Sequence, residues 1–365
     1  MRLKNTTTKG SNIESEKKLQ TRFVQKLMEW NREKNVREMP WKGEKDPYKI
    51  WLSEIILQQT RVEQGLKYYE NFIKNFPAVE AIANAPQEKI FKLWEGLGYY
   101  SRCRNLIETA KYISGNLKGI FPTDYKSILQ LKGVGHYTAS AIASFAYNLP
   151  HAVLDGNVFR VLSRVFDIEK PIDSIEGKKC FSELANYILP KQNAGEYNQA
   201  IMDFGAIICK PYPNCSACYV NRYCKAYLSG KQDLLPVKTK KIKIKERWLN
   251  YLIVRYKNEV LIHKRTSNDI WQQLFEFVLI ETNKLYKHEQ LLNLFSKQYN
   301  ITEHDNSFLL STRQKLSHQV INFSFYEIRV RQKKAIAGFT WIKLGDLKNY
   351  PFPKSLQELV TNYLK

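Results

Sequence analysis

Apolar residues recur every three or four positions through the first 228 residues, then alternate in short β-branched and aromatic runs. Leu66, Tyr69, Phe72, Ile73 and Phe76 share one helical face, as do Ile90, Leu93, Trp94 and Leu97, and Leu106, Ala110, Ile113 and Leu117. Pro77, Pro86 and Pro122 stand at the breaks. A helix from Thr138 is rich in small residues (Ala139, Ala141, Ala143, Ala146), which lets another backbone approach closely. Val158, Val161, Leu162 and Val165 mark the next helix. The pattern predicts a helical domain over 19–228 behind a disordered polar tail, 1–18. Ser229-Gly230 ends it. Six of the ten residues from Lys238 to Arg247 are basic, which reads as a linker over 229–247 running towards a strand. LNYLIVRY, EVLIHKR, LFEFVLIE and INFSFYEIRVR then predict strands. With helical patches near 288–299 and 354–364, they make an α+β domain over 248–365.

Composition narrows the partner. The chain has 365 residues and a formal charge of +22, from 57 Lys and Arg against 35 Asp and Glu, which predicts a polyanion such as nucleic acid. An anionic membrane is the rival, but no run of 18 apolar residues exists to span one. Residues 1–20 contain no apolar secretory core, so the expected compartment is cytoplasmic, nucleoid-associated and reducing, with structural disulfides disfavoured.

Two stretches carry chemistry. Leu131 to Asn157 reads LKGVGHYTASAIASFAYNLPHAVLDGN. Gly133 and Gly135 allow a tight turn that bares successive N–H groups, and the helix behind them offers its N-terminal dipole to a phosphate. This looks like a helix-hairpin-helix DNA-binding motif; an ordinary helix connection is the alternative. Further on, Cys209, Cys215, Cys218 and Cys224 give C-x5-C-x2-C-x5-C. Four thiolates suit tetrahedral zinc or a [4Fe–4S] cluster. A zinc ribbon would pair two CxxC knuckles and only one is present, which favours iron–sulfur. Cys103 and Cys180 stand alone and read as small buried hydrophobes.

A hairpin, an Asp and a four-cysteine loop in this order resemble the endonuclease III-like superfamily of DNA glycosylases. REMPW (37–41), WLSEIILQQTRV (51–62), GLGYYSR (96–102), LDGNVFRVL (154–162) and NQAIMDFGAIIC (198–209) resemble its adenine glycosylase, MutY-type branch. IWQQLFEF (270–277) and KLSHQVI (315–321) are similar to that branch's Nudix-like C-terminal domain. Three departures stand out. Five residues, not six, separate the first two cysteines. Lys42 follows Trp41 where some relatives carry Arg, and Leu316 stands where family loops often have Phe.

The resemblance implies a mostly helical catalytic domain with an iron–sulfur loop and an α+β Nudix-like domain, acting as a monomer on duplex DNA with an A:8-oxoguanine or A:G mispair. Breaking an N-glycosidic bond needs a proton for the leaving base and a negative charge near the sugar. Glu54, among Trp51, Ile55 and Leu57, is the expected acid, its pKa raised by burial. Asp155 is the expected ionised partner, with Asn157 holding it or the sugar; an N-cap role for Asp155 is the alternative. Tyr137 stands where relatives that also cut the strand carry Lys, so no Schiff base can form and the reaction is hydrolytic. Gln59 and Tyr99 match positions that wedge into the base stack, although Tyr99 could be a core aromatic. Arg37, Trp41 and Asp203 match positions near the adenine pocket. Ser317 and His318 would face the 8-oxoguanine. Only Gly338 and Gly345 follow residue 248, and neither opens a Nudix hydrolase signature, so that domain is expected to bind and not hydrolyse. The rivals are an endonuclease III-like pyrimidine glycosylase/lyase and a non-catalytic iron–sulfur DNA-binding protein. The missing hairpin Lys and the second domain argue against the first, and the presence of both Glu54 and Asp155 argues against the second.

Overall fold

The structure is a computed structural model that describes residues 7–239, 244–302 and 304–364. The chain forms two compact units that interleave in sequence: 1–62, 78–80 and 108–240 in the first, and 63–77, 81–107 and 241–365 in the second. Among the described residues, no helix is long and apolar enough to cross a membrane.

The first unit is helical. It holds α1 (Thr7–Lys34) and α2 (Pro47–Leu57), and every helix from residue 125 to residue 228. Short α4 (Val79–Asn84) and long α6 (Tyr100–Asn116) contribute residues to both units, whereas α3 (Val62–Asn75) and α5 (Gln87–Trp94) lie almost wholly in the second. Then come α7 (Tyr125–Leu129), α8 (His136–Tyr147), α9 (Gly156–Phe166), α10 (Ile175–Ile188), α11 (Ala194–Ile207) and α12 (Lys225–Leu228). Phe23 and Trp30 of α1 meet Phe166 of α9 and Phe204 of α11 edge to face, at 5.8 and 5.1 Å. Such pairs add about 0.5–1.5 kcal/mol beyond their buried area.

The helix α1 corrects the expected tail. Residues 1–6 lie outside the described residues, but 7–18 are helical. Once 19–34 is nucleated by packing, extending it through polar residues costs little, and Glu16 meets Lys225 at 2.9 Å. Glycine brings α11 against its neighbours: a Cβ on Gly195 would lie 2.6 Å from the Ser144 carbonyl oxygen, and one on Gly205 2.7 Å from Asn157 Cβ.

The second unit is built on a seven-stranded sheet: β1 (Lys245–Tyr256), β2 (Glu259–Lys264), β3 (Phe275–Glu276), β4 (Val278–Thr282), β5 (His304–Lys315), β6 (Gln319–Val330) and β7 (Phe339–Lys343). The main order is β3-β2-β1-β6-β5, with β4 on β1 and β7 on β2. Strands β1 and β6 run parallel, with Lys245 opposite Gln319; the other pairs are antiparallel. One cluster packs Leu252, Val254, Val278 and Ile280 with Leu291 and Phe295 of α13 (His288–Tyr299). Tyr251, Phe323, Phe325 and Trp271 form a separate aromatic stack at 5.9–6.4 Å.

The last helix, α14 (Lys354–Tyr363), and the loop before it are tied to the end of α5 through Glu95. That carboxylate accepts from Phe352 N and Gln357 Nε2, both at 2.8 Å. The expected basic linker ends earlier than 247. Residues 240–243 lie outside the described residues, and β1 has begun by Lys245. Arg247 is 8% exposed and ion-paired, so it belongs to the sheet.

Candidate active site

A cavity of about 480 Å³ opens in the first unit, with Glu54, Tyr137, Asp155 and Asn157 on its walls. Three helices and their caps supply them. The helix α2 is capped by Asp46, whose carboxylate accepts from Tyr48 N at 2.9 Å, and has Pro47 in its first turn. It buries seven further residues besides Glu54, so the carboxyl at 6% exposure is surrounded by apolar chain. Burial drives its pKa up to about 7, reinforced by the charge of Asp155 and opposed by a hydrogen bond with Tyr137.

Asp155 is the N-cap of α9, the alternative role that its Asp-Gly setting allowed. Its Oδ1 accepts from Val158 N at 2.7 Å and its Oδ2 from Asn157 Nδ2 at 2.8 Å. Burial raises its pKa too, but those donors and the Arg160 cation pull it back. Glu54 has one hydrogen-bond donor and faces a negative neighbour, so Asp155 gives up its proton first. The cavity therefore sets a proton-holding carboxyl against one with more donors to stabilise its charge, which is the division of labour acid-assisted bond cleavage requires. Tyr137, at the start of α8, has its phenol held protonated by burial and by both carboxyls.

The hairpin precedes α8. Gly133 sits at φ +76°, in the left-handed region open to glycine. Gly135 is the N-cap of α8 without a side-chain cap bond, and a Cβ there would meet nothing within 4 Å. The first N–H groups of α8 are thus not taken by a capping side chain, as an anion site requires.

Arg37, Trp41 and Gln59 line the cavity. Asp203, expected near the adenine pocket, is fully buried and meets two residues that line the cavity, Arg37 and Gln199. Its oxygens accept from Arg37 Nη1 at 2.7 Å, Asn35 Nδ2 at 2.9 Å and Gln199 Nε2 at 3.0 Å, with Lys42 Nζ at 3.3 Å. A buried carboxylate persists only with such partners, so Asp203 anchors the wall formed by Arg37 and Gln199. Lys42, in the position of a family Arg, reaches both Asp203 and the Arg37 carbonyl.

Gln59 and Tyr99, both expected as wedges, lie in different units. Gln59 is on the first cavity with φ +56°. Tyr99, 40% exposed and at φ +47°, is on a second cavity of about 400 Å³ inside the second unit, so it is no core aromatic. Its hydroxyl lies 2.7 Å from Ser317 Oγ. Ser317 and His318 form the β5–β6 turn, closed by Leu316 N donating to Gln319 O. Trp271 makes another wall.

Cys209, Cys215, Cys218 and Cys224 follow α11 on one loop, shaped by short 3₁₀ turns at 215–217 and 221–223. Burial raises the thiols of Cys218 to about 12 and Cys224 to about 11, and each also feels other cysteines of the four. Arg164 Nη1 donates to Cys209 Sγ at 3.5 Å, and Arg160 Nε to the Cys209 carbonyl at 2.7 Å. Among the described residues, no three metal-ligating side chains converge tightly enough for a single ion. The four thiols lie on one loop, with the Arg160 and Arg164 guanidinium groups at its Cys209 end.

Sequence reasoning missed Arg160 and Gln199. Each had a readable signal: Arg160 is three residues after Asn157 and Gln199 four before Asp203, the spacings that share a helix face. Asn35, far from α11 in sequence, had none.

Residues 52–186 match the HhH-GPD superfamily of base excision DNA repair proteins, and residues 250–362 match the NUDIX domain. Adenine DNA glycosylase of Buchnera aphidicola subsp. Baizongia pistaciae is 35% identical over 351 residues, covering 94% of this chain and 97% of the relative. That of Buchnera aphidicola subsp. Acyrthosiphon pisum is 32% identical, covering 94% and 98%. A solved thermostable thymine-DNA glycosylase is similar at 30% identity with a TM-score of 0.55, covering 59% of this chain and 99% of that one. The thymine-DNA glycosylase match stops short of the full chain, whereas both Buchnera alignments run through the hairpin and NUDIX regions alike; on that breadth, the chain belongs to the adenine DNA glycosylase family.

Proposed function

We propose that this protein is a monofunctional glycosylase that hydrolyses the N-glycosidic bond of adenine opposite 8-oxoguanine, or guanine, in duplex DNA. The observation that carries the reading is the buried Glu54, with a pKa near 7, sharing a cavity with the more readily ionised Asp155. The extruded adenine enters that cavity. Glu54 gives its proton to the purine, N7 by the family resemblance, as the bond to the sugar breaks and the electron pair leaves with the base. Asp155 offsets the positive charge that develops on the sugar. Water then attacks the anomeric carbon, leaving its hydroxyl there and its proton on Glu54. Tyr137 holds Glu54 and, having no amine, forms no covalent adduct. The uncapped start of α8 grips a phosphate of the DNA backbone.

Base identity opposite adenine is read in the second cavity by Tyr99, Ser317 and His318. Cys209, Cys215, Cys218 and Cys224 hold one [4Fe–4S] cluster, which supplies structural bracing to the loop that Arg160 ties to Asn157. The chain works as a monomer in a reducing compartment.

The test is base release from duplexes with A opposite 8-oxoguanine, G or T. Wild type releases adenine from the first two, Glu54→Gln from none, and Tyr137→Lys gains a borohydride-trappable adduct or strand cleavage. Wild-type rates in Glu54→Gln would sink the mechanism. Visible charge-transfer absorbance with about four irons per chain is expected; zinc by elemental analysis would overturn the cluster.

A further inference from the structure

Behind the second cavity lies an ionic array that the proposed chemistry does not use. Arg247 on β1 is 8% exposed, and its guanidinium is shared by three side chains. Nε and Nη2 reach Glu281 Oε1 and Oε2, both at 2.7 Å. Nη1 and Nη2 reach Asp269 Oδ1 at 3.0 Å and Oδ2 at 2.8 Å. Nη1 also reaches Gln319 Oε1 at 3.4 Å. Asp269 in turn accepts from Arg265 Nη2 at 2.8 Å and from the backbone N–H of Ile270 at 2.7 Å.

Two of these contacts reach the cavity. Ile270 and Trp271 form one wall, and the turn that carries them begins at Asp269. Gln319 is also on the cavity and closes the Ser317–His318 turn of the opposite wall. One planar fork thus binds both walls, a geometry open to Arg and not to Lys.

We infer that Arg247, acting through Asp269 and Gln319, is the positioning residue that sets the spacing between the Trp271 wall and the Ser317–His318 turn, and so sets discrimination between 8-oxoguanine and guanine opposite the target. This rests on the proposal that the second cavity reads that base. Arg247 itself touches no DNA. Its effect is on the ratio of the two substrates and not on the bond-breaking step, whose residues lie in the first unit.

The experiment measures single-turnover adenine release from A:8-oxoguanine and A:G duplexes, with melting temperature as a check on folding. Arg247→Lys and Asp269→Asn are expected to lower the substrate ratio by roughly tenfold each, with little further loss in the double variant, because both break the Arg247–Asp269 link on which the spacing depends. Arg255→Lys disturbs a similar half-buried pair on the same strand, with Glu327 at 2.6 Å, that does not reach the cavity; its ratio should equal wild type. Should Arg247→Lys fail to fold, Asp269→Asn decides. A ratio kept in a folded Arg247 or Asp269 variant overturns the inference, as does an equal slowing on both duplexes. Ser317→Ala separates the levels. If it collapses the ratio while the array variants do not, only the positioning role falls. If it too leaves the ratio intact, the reading of the cavity falls with it.

Discussion

Glu54 and Asp155 differ in what surrounds them more than in what they are. Both carboxyls are raised by burial, but only Asp155 receives two hydrogen-bond donors and a nearby guanidinium. Glu54 therefore titrates near 7 and should impose an alkaline limb on base release, with activity falling as pH rises through that value. The same group shapes stability. Its folded pKa, about 7, exceeds the unfolded value of 4.5, so the proton is bound more tightly in the folded state. That contribution is fully present below pH 4.5 and is lost as pH rises to 7, up to ~3 kcal/mol for so buried a carboxyl. Glu54→Gln removes the penalty. Its melting temperature relative to wild type should rise between pH 4.5 and 7.5; a difference that stays flat across that range would show that Glu54 is not held protonated. Residue type and apolar neighbours were legible at this scale, because Trp51, Ile55 and Leu57 stand beside Glu54 in sequence. The burial of Asp203 was not, because its partners Asn35, Arg37 and Lys42 come from a loop more than 150 positions away.

Helices and strands were largely legible. The periodicity located α13 and α14 and the long strands β1 and β6, because amphipathic spacing is a local property. Where the sequence reading missed, tertiary context intervened: the polar turns of α1 are helical because the helix behind them is packed, and Arg247 is buried because three acceptors surround it. Helix contacts made through glycine are the sharpest example of an invisible constraint. Gly205 brings α11 onto the first turn of α9, where a Cβ would meet Asn157 Cβ at 2.7 Å and its backbone at 3.1 Å. Backbone cannot swing aside as a side-chain tip can. Gly205→Ala should cost about 1–3 kcal/mol and shift Asn157 away from Asp155, lowering kcat with little change in DNA affinity. Unaltered kcat with an unaltered melting temperature would show that the two helices have slack.

On the scale of the whole molecule, the interleaving of the two units changes what a domain boundary means. The sequence change near 229 predicts a helical domain before the linker and an α+β domain after it. Residues 63–77 and 81–107 instead share a unit with 241–365. Glu95, whose side chain is 5% exposed, depends on Phe352 and Gln357 for its hydrogen bonds, Lys92 reaches the Tyr350 carbonyl, and Arg104 reaches that of Gln272. A fragment ending at residue 240 should keep the first cavity, with Glu54 and Asp155 in place, but lose protection in α3, α5 and the start of α6. Hydrogen exchange read by mass spectrometry would show it: faster exchange over 63–77 and 81–107 than in α8 or α9. Equal protection in the fragment and the full chain would mean the helical half is self-sufficient.

Gln59 and Tyr99 hold left-handed backbone without being glycine. That conformation costs an L-residue on the order of 1 kcal/mol, and a glycine at either position would relieve it while deleting the side chain. Laboratory evolution for heat tolerance would therefore drift towards glycine at these two positions and discard two side chains that line the cavities. Selecting for thermal endurance alone should yield hardier proteins that release adenine more poorly.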